Sequence, residues 1–477
     1  MRTTSILLML ACAVGGCSLA PRYQRPTTAA PPPAYQEAGD WKVSAPADAI
    51  ARGRWWAVFG DAQLDALESQ VTDANQDLKA ALARLQEARA QTRIARAAYL
   101  PTLTARAAAT RSQVSANGPD FVAGKPALGN DFIVGGDLSY EFDLFGRVRN
   151  TVAGARAGEQ ASAGDVAVLD LNLHAELAGD YFMLRGLDAQ QELLDHTVAD
   201  YAKALRLTEN LYQGGAAAIA DVEQARAQLE SAKTQAEDTR LRRAQTEHAI
   251  AVLVGQQASA FHVEPSPLPA EVVPPRIDPG LPSQLLERRP DVAAAERRVA
   301  GANAAIGVAR AAYFPVFSLA GFGGDESVSA ANWLQAPSRV WSIGPQGLLT
   351  VFDAGLHRAQ SAAARAAYDE QVANYRSTVL TAFQEVEDNL AALRQLERES
   401  VSEAAAVAAT QGALDQANFR YKGGIVTYLE VVSTENAALA ARLAAVDIQT
   451  RRIGASVLLV KALGGDWGTA DAKTGRF

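Results

Sequence analysis

Proline placement constrains this chain more than any other feature. No proline occurs between Pro126 and Pro265 or after Pro345, whereas eight fall from Pro265 to Pro290. Because proline lacks the backbone donor and clashes with the preceding turn, the proline-free intervals are where a helix can run unbroken. In the first interval Leu173, Leu177, Tyr181, Leu184, Leu187, Leu194, Val198, Tyr201, Leu205 and Tyr212 keep a three-and-four spacing up to Gly214-Gly215. The pattern predicts one helix from Arg147 to Gln213, roughly 100 Å long at 1.5 Å per residue. Globular helices average about a dozen residues, so this length requires a coiled-coil or tube architecture. A return helix is predicted from Ala220 to about Val254. The second interval repeats the plan: a long helix from Leu356 to Tyr421 carries Phe383, Val386, Leu390, Leu393, Val401, Val407 and Leu414, and Lys422-Gly423-Gly424 ends it. Its return helix is predicted from Leu429 to about Leu463.

The same duplication marks where helix gives way to strand. Ala95-Arg-Ala-Ala-Tyr-Leu-Pro101 recurs as Ala309-Arg-Ala-Ala-Tyr-Phe-Pro315, 214 residues later. Each proline biases its predecessor toward extended backbone, which puts the change near Tyr99 and Tyr313. Before the first junction, Leu64 to Tyr99 reads as one long amphipathic helix with Asp61 as its N-cap. Before the second, Asp291 to Tyr313 reads as helix. Two further matches in the same order, Phe142-Asp143 with Phe352-Asp353 and Tyr212-Gln-Gly-Gly215 with Tyr421-Lys-Gly-Gly424, identify an internal repeat.

After each junction the period changes to two. Leu138, Tyr140 and Phe142 alternate with Asp137, Ser139, Glu141 and Asp143, and Thr102 to Thr110 alternates more weakly. This predicts a hairpin over 102–143 and a second over 316–353, with strands Val316 to Gly324 and Val340 to Asp353. Apolar residues on one face and acids on the other suit a transmembrane β-barrel strand, with half of a soluble sandwich as the competing reading. Four strands cannot close a barrel, because the smallest membrane barrels have about eight, so several copies must assemble. Two copies would give eight strands and a lumen filled by side chains, and three would give twelve and room for a water-filled passage.

The N-terminus supplies an address. Met1-Arg-Thr-Thr is a positive n-region, Ile6 to Val14 is apolar but too short to span a bilayer, and Gly15-Gly16-Cys17 follows. The pattern resembles a bacterial lipobox, with cleavage after residue 16 and acylation of Cys17; two or three acyl chains anchor stably. The Pro-, Ala- and Thr-rich stretch after it reads as an extended tether. The predicted organisation is a signal peptide 1–16, a lipidated tether 17–60, a first repeat 61–264, a proline-rich linker 265–290, a second repeat 291–463 and a tail 464–477. A net charge of -8 with no basic run argues against nucleic-acid binding. Five histidines, at 174, 196, 248, 262 and 357, form no metal-ligand spacing, and no nucleophile motif is present. Gly118 to Gly124-Lys125 approaches a phosphate loop but has one residue too many and Pro126 where Ser or Thr is needed, so it reads as a surface loop. No enzyme activity, cofactor or metal site is expected.

The lipobox with Pro21-Arg-Tyr-Gln-Arg-Pro26, the Trp55-Trp56 segment, Arg288-Arg-Pro-Asp-Val292 with Ile306-Gly307 and Tyr313-Phe-Pro315, and Tyr421-Lys-Gly-Gly424 together resemble the TolC-like outer-membrane factors, in their lipoprotein (OprM/NodT-like) branch. The resemblance spans nearly the whole chain. It implies a homotrimer with a long-helix α-barrel continuous with a 12-stranded β-barrel. It also implies an outer-membrane exit duct for small toxic molecules or drugs, joined by a periplasmic adaptor (membrane fusion protein) to an inner-membrane transporter of the RND type. Metal-ion export or type I protein secretion on the same fold, and a non-channel coiled-coil scaffold of the envelope, are the rival readings.

By the same resemblance the turns at Gly214-Gly215 and Gly423-Gly424 face the periplasm, meet the adaptor and hold the resting channel shut. Asp221 and Glu430 each stand six residues beyond the second glycine of a turn. Three copies of Glu430 around an axis would repel one another and attract cations. The family also pairs a tyrosine at the position of Tyr421 with an aspartate at that of Asp221. Val426 and Ser433 depart from members with an arginine and a second acid there, which weakens the expected lock.

Overall fold

The computed structural model describes residues 18–28, 36, 54–119, 128–269, 275 and 289–465. Cys17 and the signal segment lie outside the described residues, as do 120–127 of the near-phosphate loop, most of the 265–290 linker and residues 466–477. A short 3-10 helix, Trp55–Phe59, precedes helices α1 (Ala62–Ala74) and α2 (Gln76–Ala97), then strands β1 (Thr102–Gln113) and β2 (Leu128–Phe142). Helices α3 (Arg147–Gln213) and α4 (Ile219–Leu253) complete the first half. The second half comprises α5 (Pro290–Ala311), β3 (Val316–Ser327), β4 (Arg339–Leu348), α6 (Leu356–Lys422) and α7 (Tyr428–Ala462). Among the described residues no helix is long and apolar enough to cross a membrane.

The repeat is visible in element lengths. The helices α3 and α6 have 67 residues each and start 209 positions apart, and α4 and α7 have 35 each at the same offset. The pairs α2 and α5 (22 residues each) and β1 and β3 (12 each) are offset by 214. The change of offset therefore falls in the hairpin loops and second strands, where no helix packing fixes the length.

The chain forms two compact units, one made of residues up to Thr27, Arg84–Ala163 and Ala294–Arg376, the other of the remainder, so each draws on both repeats. The first unit contains a single antiparallel sheet in the order β1-β2-β3-β4. Its register puts Leu103 opposite Leu138, Tyr140 opposite Leu319 and Phe142 opposite Phe317 on one face. Trp341 (74% exposed) and Ile343 continue that face. Thr104, Asp137, Ser139, Glu141, Ser318 and Ser342 share the other. At the helix-to-strand junctions α2 ends at Ala97 and α5 at Ala311, and Tyr99 and Tyr313 donate to Arg96 and Arg310 carbonyls in closing turns. Strand β4 stops at Leu348 rather than reaching Asp353. The Asp353 carboxylate accepts from the Gly355 and His357 amides, each at 2.8 Å, and so caps α6. Those amides, His357 first, hold its pKa below the usual carboxylate range. Asp143 caps α3 in the same way through Val148 and Arg149.

The stretch expected to run as an extended tether over the body is a docked strap where it is described. Ser18 Oγ donates to Asn150 Oδ1 at 3.1 Å, Asn303 Nδ2 donates to the Pro21 carbonyl at 2.9 Å, and Arg25 reaches Tyr375 and Glu296 at 3.1 and 3.2 Å. A Cβ on Gly307 would sit 2.7 Å from Ala20 Cβ, so that glycine makes room for the strap. Pro-rich sequence cannot fold alone, but it can borrow the apolar wall of finished helices.

In the second unit Asp61 caps α1, accepting from the Gln63 and Leu64 amides, while its other oxygen accepts from the buried Tyr181 hydroxyl at 2.6 Å. The predicted single helix from Leu64 to Tyr99 is in fact two. The buried Asn75 breaks it, with ψ at 129°: its Oδ1 accepts from the Leu78 amide and its Nδ2 donates to the Leu253 carbonyl at 2.9 Å. The side chain thus caps α2 and the end of α4 together, which outweighs the backbone bond lost at the break. Against α3, Glu68 and His174 form a buried pair at 2.5 Å, with Trp56 stacked on the imidazole at 4.5 Å between centroids. Burial pushes Glu68 up to about 7. Burial would lower His174, but hydrogen bonding to Asp170 and Glu68 outweighs it and raises the ring to about 9.

Candidate functional site

The turns joining each long helix to its return helix lie in the second unit and share one backbone solution. At the first, the Gly215 amide donates to the Tyr212 carbonyl and the Ala216 amide to the Leu211 carbonyl, at 3.0 and 2.8 Å. At the second, Gly424 donates to Tyr421 and Ile425 to Arg420, both at 2.9 Å. These paired bonds are the Schellman arrangement, which needs a left-handed residue just after the helix. Gly215 (φ 74°) and Gly424 (φ 69°) supply it. Gly214 and Gly423 do not have positive φ, and a Cβ at either would make only 3.5 Å contacts with the preceding turn. Of the four glycines singled out by sequence, the second of each pair is the one the backbone demands.

Behind the second turn, Ala225, Ala417, Tyr428, Val431 and Val432 form a buried cluster, with Leu205 and Tyr421 packed on it. The Tyr421 and Tyr428 rings meet at 5.6 Å. Burial raises the pKa of both hydroxyls, and the Asp221 charge adds to the rise at Tyr421. Within one chain Asp221 does not hydrogen-bond Tyr421; its Oδ2 accepts from the Ala218 amide at 3.2 Å, capping α4. Glu430 holds the equivalent position of α7, but its Oε1 accepts from Arg420 Nη1 at 2.7 Å, with both side chains about half exposed. The repeat offset explains the difference, since Leu211 stands where the second copy has Arg420. The carboxylate expected to line an axis uncompensated is therefore ion-paired in this chain.

Sequence reasoning passed over two residues here. Arg420 was detectable by comparing the repeats position by position. Glu435 was not, because nothing local distinguishes it from the surface acids of α7. It is partly buried with Oε2 lacking a partner, and burial, then the charge of Asp200, pushes it up to about 7. Nearby, Gln228 bonds the Tyr201 hydroxyl at 3.1 Å and pairs with Asn436. Among the described residues no group of three His, Cys, Asp or Glu could hold a metal ion. The site's chemistry is one of packing, charge and backbone shape.

The model of the outer membrane efflux protein family matches residues 67–256 and 281–465, one segment in each repeat. The chain belongs to that family. Outer membrane protein OprJ of Pseudomonas aeruginosa is 35% identical over 96% of this chain and 95% of its own length. The cation efflux system protein CusC of Escherichia coli is 31% identical over 96% of this chain and 97% of its own. The crystal structure of the Campylobacter jejuni CmeC outer membrane channel superposes with a TM-score of 0.86 at 26% identity, covering 96% of this chain and 97% of that one. This member of the family is an outer-membrane channel subunit of an efflux pump. Its relatives are channel proteins of the outer membrane of Gram-negative bacteria.

Proposed function

We infer that this chain assembles as a homotrimer into the passive exit duct of a tripartite efflux pump, receiving small toxic molecules or drugs from an inner-membrane transporter of the RND type through a periplasmic adaptor. The observation that carries the reading is the sheet: four antiparallel strands with an apolar face and both edges, β1 and β4, unpaired. In hydrocarbon every backbone donor and acceptor must be satisfied, so those edges must pair with further copies. Three copies bring twelve strands, enough for a water-filled passage. The two 67-residue helices of each chain would pack with those of its neighbours into a tube.

In this reading residues 1–16 are a removed signal peptide, Cys17 carries the acyl chains, and the docked strap after it ties the anchor to the body. The repeats 61–264 and 291–463 act as two staves joined by the 265–290 linker. The turns at Gly214-Gly215 and Gly423-Gly424 present the adaptor contact, and Asp221, Tyr421 and Glu430 act in the resting gate. The decisive experiment has two arms. Purified protein in a planar bilayer should pass current, which a coiled-coil scaffold would not. A deletion strain should regain resistance to dyes, detergents and antibiotics when the chain is restored, and no change in any of them would sink the drug-efflux reading. The likeness to a cation efflux protein supports a second reading, metal-ion export. It predicts that the deletion sensitises cells to metal cations and leaves drug tolerance intact.

A further inference from the structure

The polar face of the sheet has an uneven charge. By the same alternation that puts Leu103, Leu138 and Trp341 on the apolar face, the opposite face carries Asp131, Asp137, Glu141 and Glu326 among Thr, Ser, Ala and Gly, with Ile133, Phe322 and Val340 interspersed. Arg106 is the single basic side chain on that face among the strand residues. It is also held in place. Arg106 pairs in the ladder with Gly135, and Phe322 lies across from Asp137 on the next strand. A Cβ on Gly135 would come within 2.6 Å of Phe322 Cε2, so the ring fills the space that a side chain there would occupy. Over this ring sits the guanidinium, its Cζ 5.0 Å from the centroid. Asp137 Oδ2 forms an ion pair with its Nε at 3.8 Å, too long for a hydrogen bond, and the Arg106 side chain is 52% exposed.

We propose that Arg106, seated on Phe322 above Gly135, is a selectivity-determining residue of the channel: a fixed positive station on an otherwise acidic wall that lets anions and anionic groups of solutes, such as carboxylates, pass that depth. The proposal rests on the channel reading above. An acidic wall alone concentrates cations and repels anions in a narrow passage. A guanidinium remains charged at any physiological pH, and stacking on an aromatic face holds it at one depth beside Asp137. Glu141, next to the last residue of β2, is already bound by Arg147, so the balance on this wall is set by Arg106 against Asp131, Asp137 and Glu326.

The test is the reversal potential of the purified full chain in a planar bilayer under a potassium chloride gradient. Arg106→Gln should raise the potassium-to-chloride permeability ratio by about twofold or more, Arg106→Lys should restore most of the difference, and Asp137→Asn should lower the ratio. Unchanged reversal potential in a conducting Arg106→Gln channel overturns the proposal. Should that variant yield no channels, Phe322→Leu decides: it keeps the charge and removes the seat, so the ratio should rise, and an unchanged ratio is equally fatal. Absence of current from the wild-type protein would instead refute the channel reading itself.

Discussion

Replacing Gly424 by Ala tests whether the turn at the end of α6 is held by backbone conformation or by its place in the sequence. Gly424 has a φ of 69°, where an L residue pays steric strain of roughly 1–2 kcal/mol. Removing a glycine from the unfolded chain returns about 0.4–1 kcal/mol. The net expectation is a loss of about 0.5–1.5 kcal/mol per turn, confined to the last turn of α6. Gly423→Ala is the internal control, because its φ is not positive and its Cβ would meet the Arg420 carbonyl at an ordinary 3.5 Å. Amide exchange at Gly424 and Ile425, which donate to Tyr421 and Arg420, reads the difference directly. Protection should fall by about two- to tenfold in Gly424→Ala, at roughly 1.4 kcal/mol per factor of ten. It should hold or rise in Gly423→Ala. The repeat supplies a second pair, Gly215→Ala and Gly214→Ala, with the same expected order. Equal loss in the two members of either pair would refute the assignment of the left-handed position.

His174→Ala leaves Glu68 buried without its cation, which typically costs about 3–5 kcal/mol; a thermal midpoint equal to wild type would show the pair to be dispensable. For Glu435 the folded state keeps a proton that the unfolded chain has lost, so this group's contribution to stability should fall as pH rises from 4.5 to about 7 and stay flat above. Glu435→Gln should make the slope shallower, leaving the share of Glu68, and be more stable at pH 8 by about 1–2 kcal/mol after allowing for solvent screening. Melting curves at pH 5 and pH 8 separate the two proteins, and parallel curves count against the assignment. Asp221→Ala should raise leak through the resting channel in bilayers, with a smaller effect for Glu430→Ala; unchanged conductance in both removes these acids from the gate.

Much of the helical frame could be read from the residues, since each long helix is bounded by signals that act locally. Asp143 and Asp353 cap the starts, and Gly215 and Gly424 stop the ends. What stayed hidden depended on partners distant in sequence. Asn75 lies in an unbroken helical pattern, and only the Leu253 carbonyl, brought there by the return helix, makes the break favourable. Likewise Pro21 to Thr27 has no fold of its own, and its hydrogen bonds come from Asn303, Tyr375 and Arg376 in the second repeat. At the candidate site the glycines end a helical pattern and each acid stands six residues beyond the second glycine, while the roles proposed for them rest on the family resemblance. The Arg420 to Glu430 pair lay outside the shared motif, at a position where the first repeat has Leu211.

That comparison changes which acid matters. Over the long and return helices the repeats keep one backbone register, yet the side chains at equivalent positions diverge: Leu211 against Arg420, Ala218 against Thr427 and Asp221 against Glu430. A shared backbone would let the two turns pack as equivalent staves, so the ring proposed for them would be constrained in shape by the duplication. Charge carries no such constraint. Glu430 spends its charge on Arg420 within its own turn, whereas Asp221 bonds a neutral backbone amide and keeps its charge. In a ring of three chains the turns would alternate between compensated and uncompensated. Repulsion between like charges, and attraction of cations, would then concentrate at the three copies of Asp221. The same Asp221 charge already bears on the Tyr421 hydroxyl across the gap between turns. An arrangement of equal shape and unequal charge is what duplication followed by divergence allows, and in the proposed gate it would put the electrostatic part on the first repeat and the ion-paired, self-contained turn on the second.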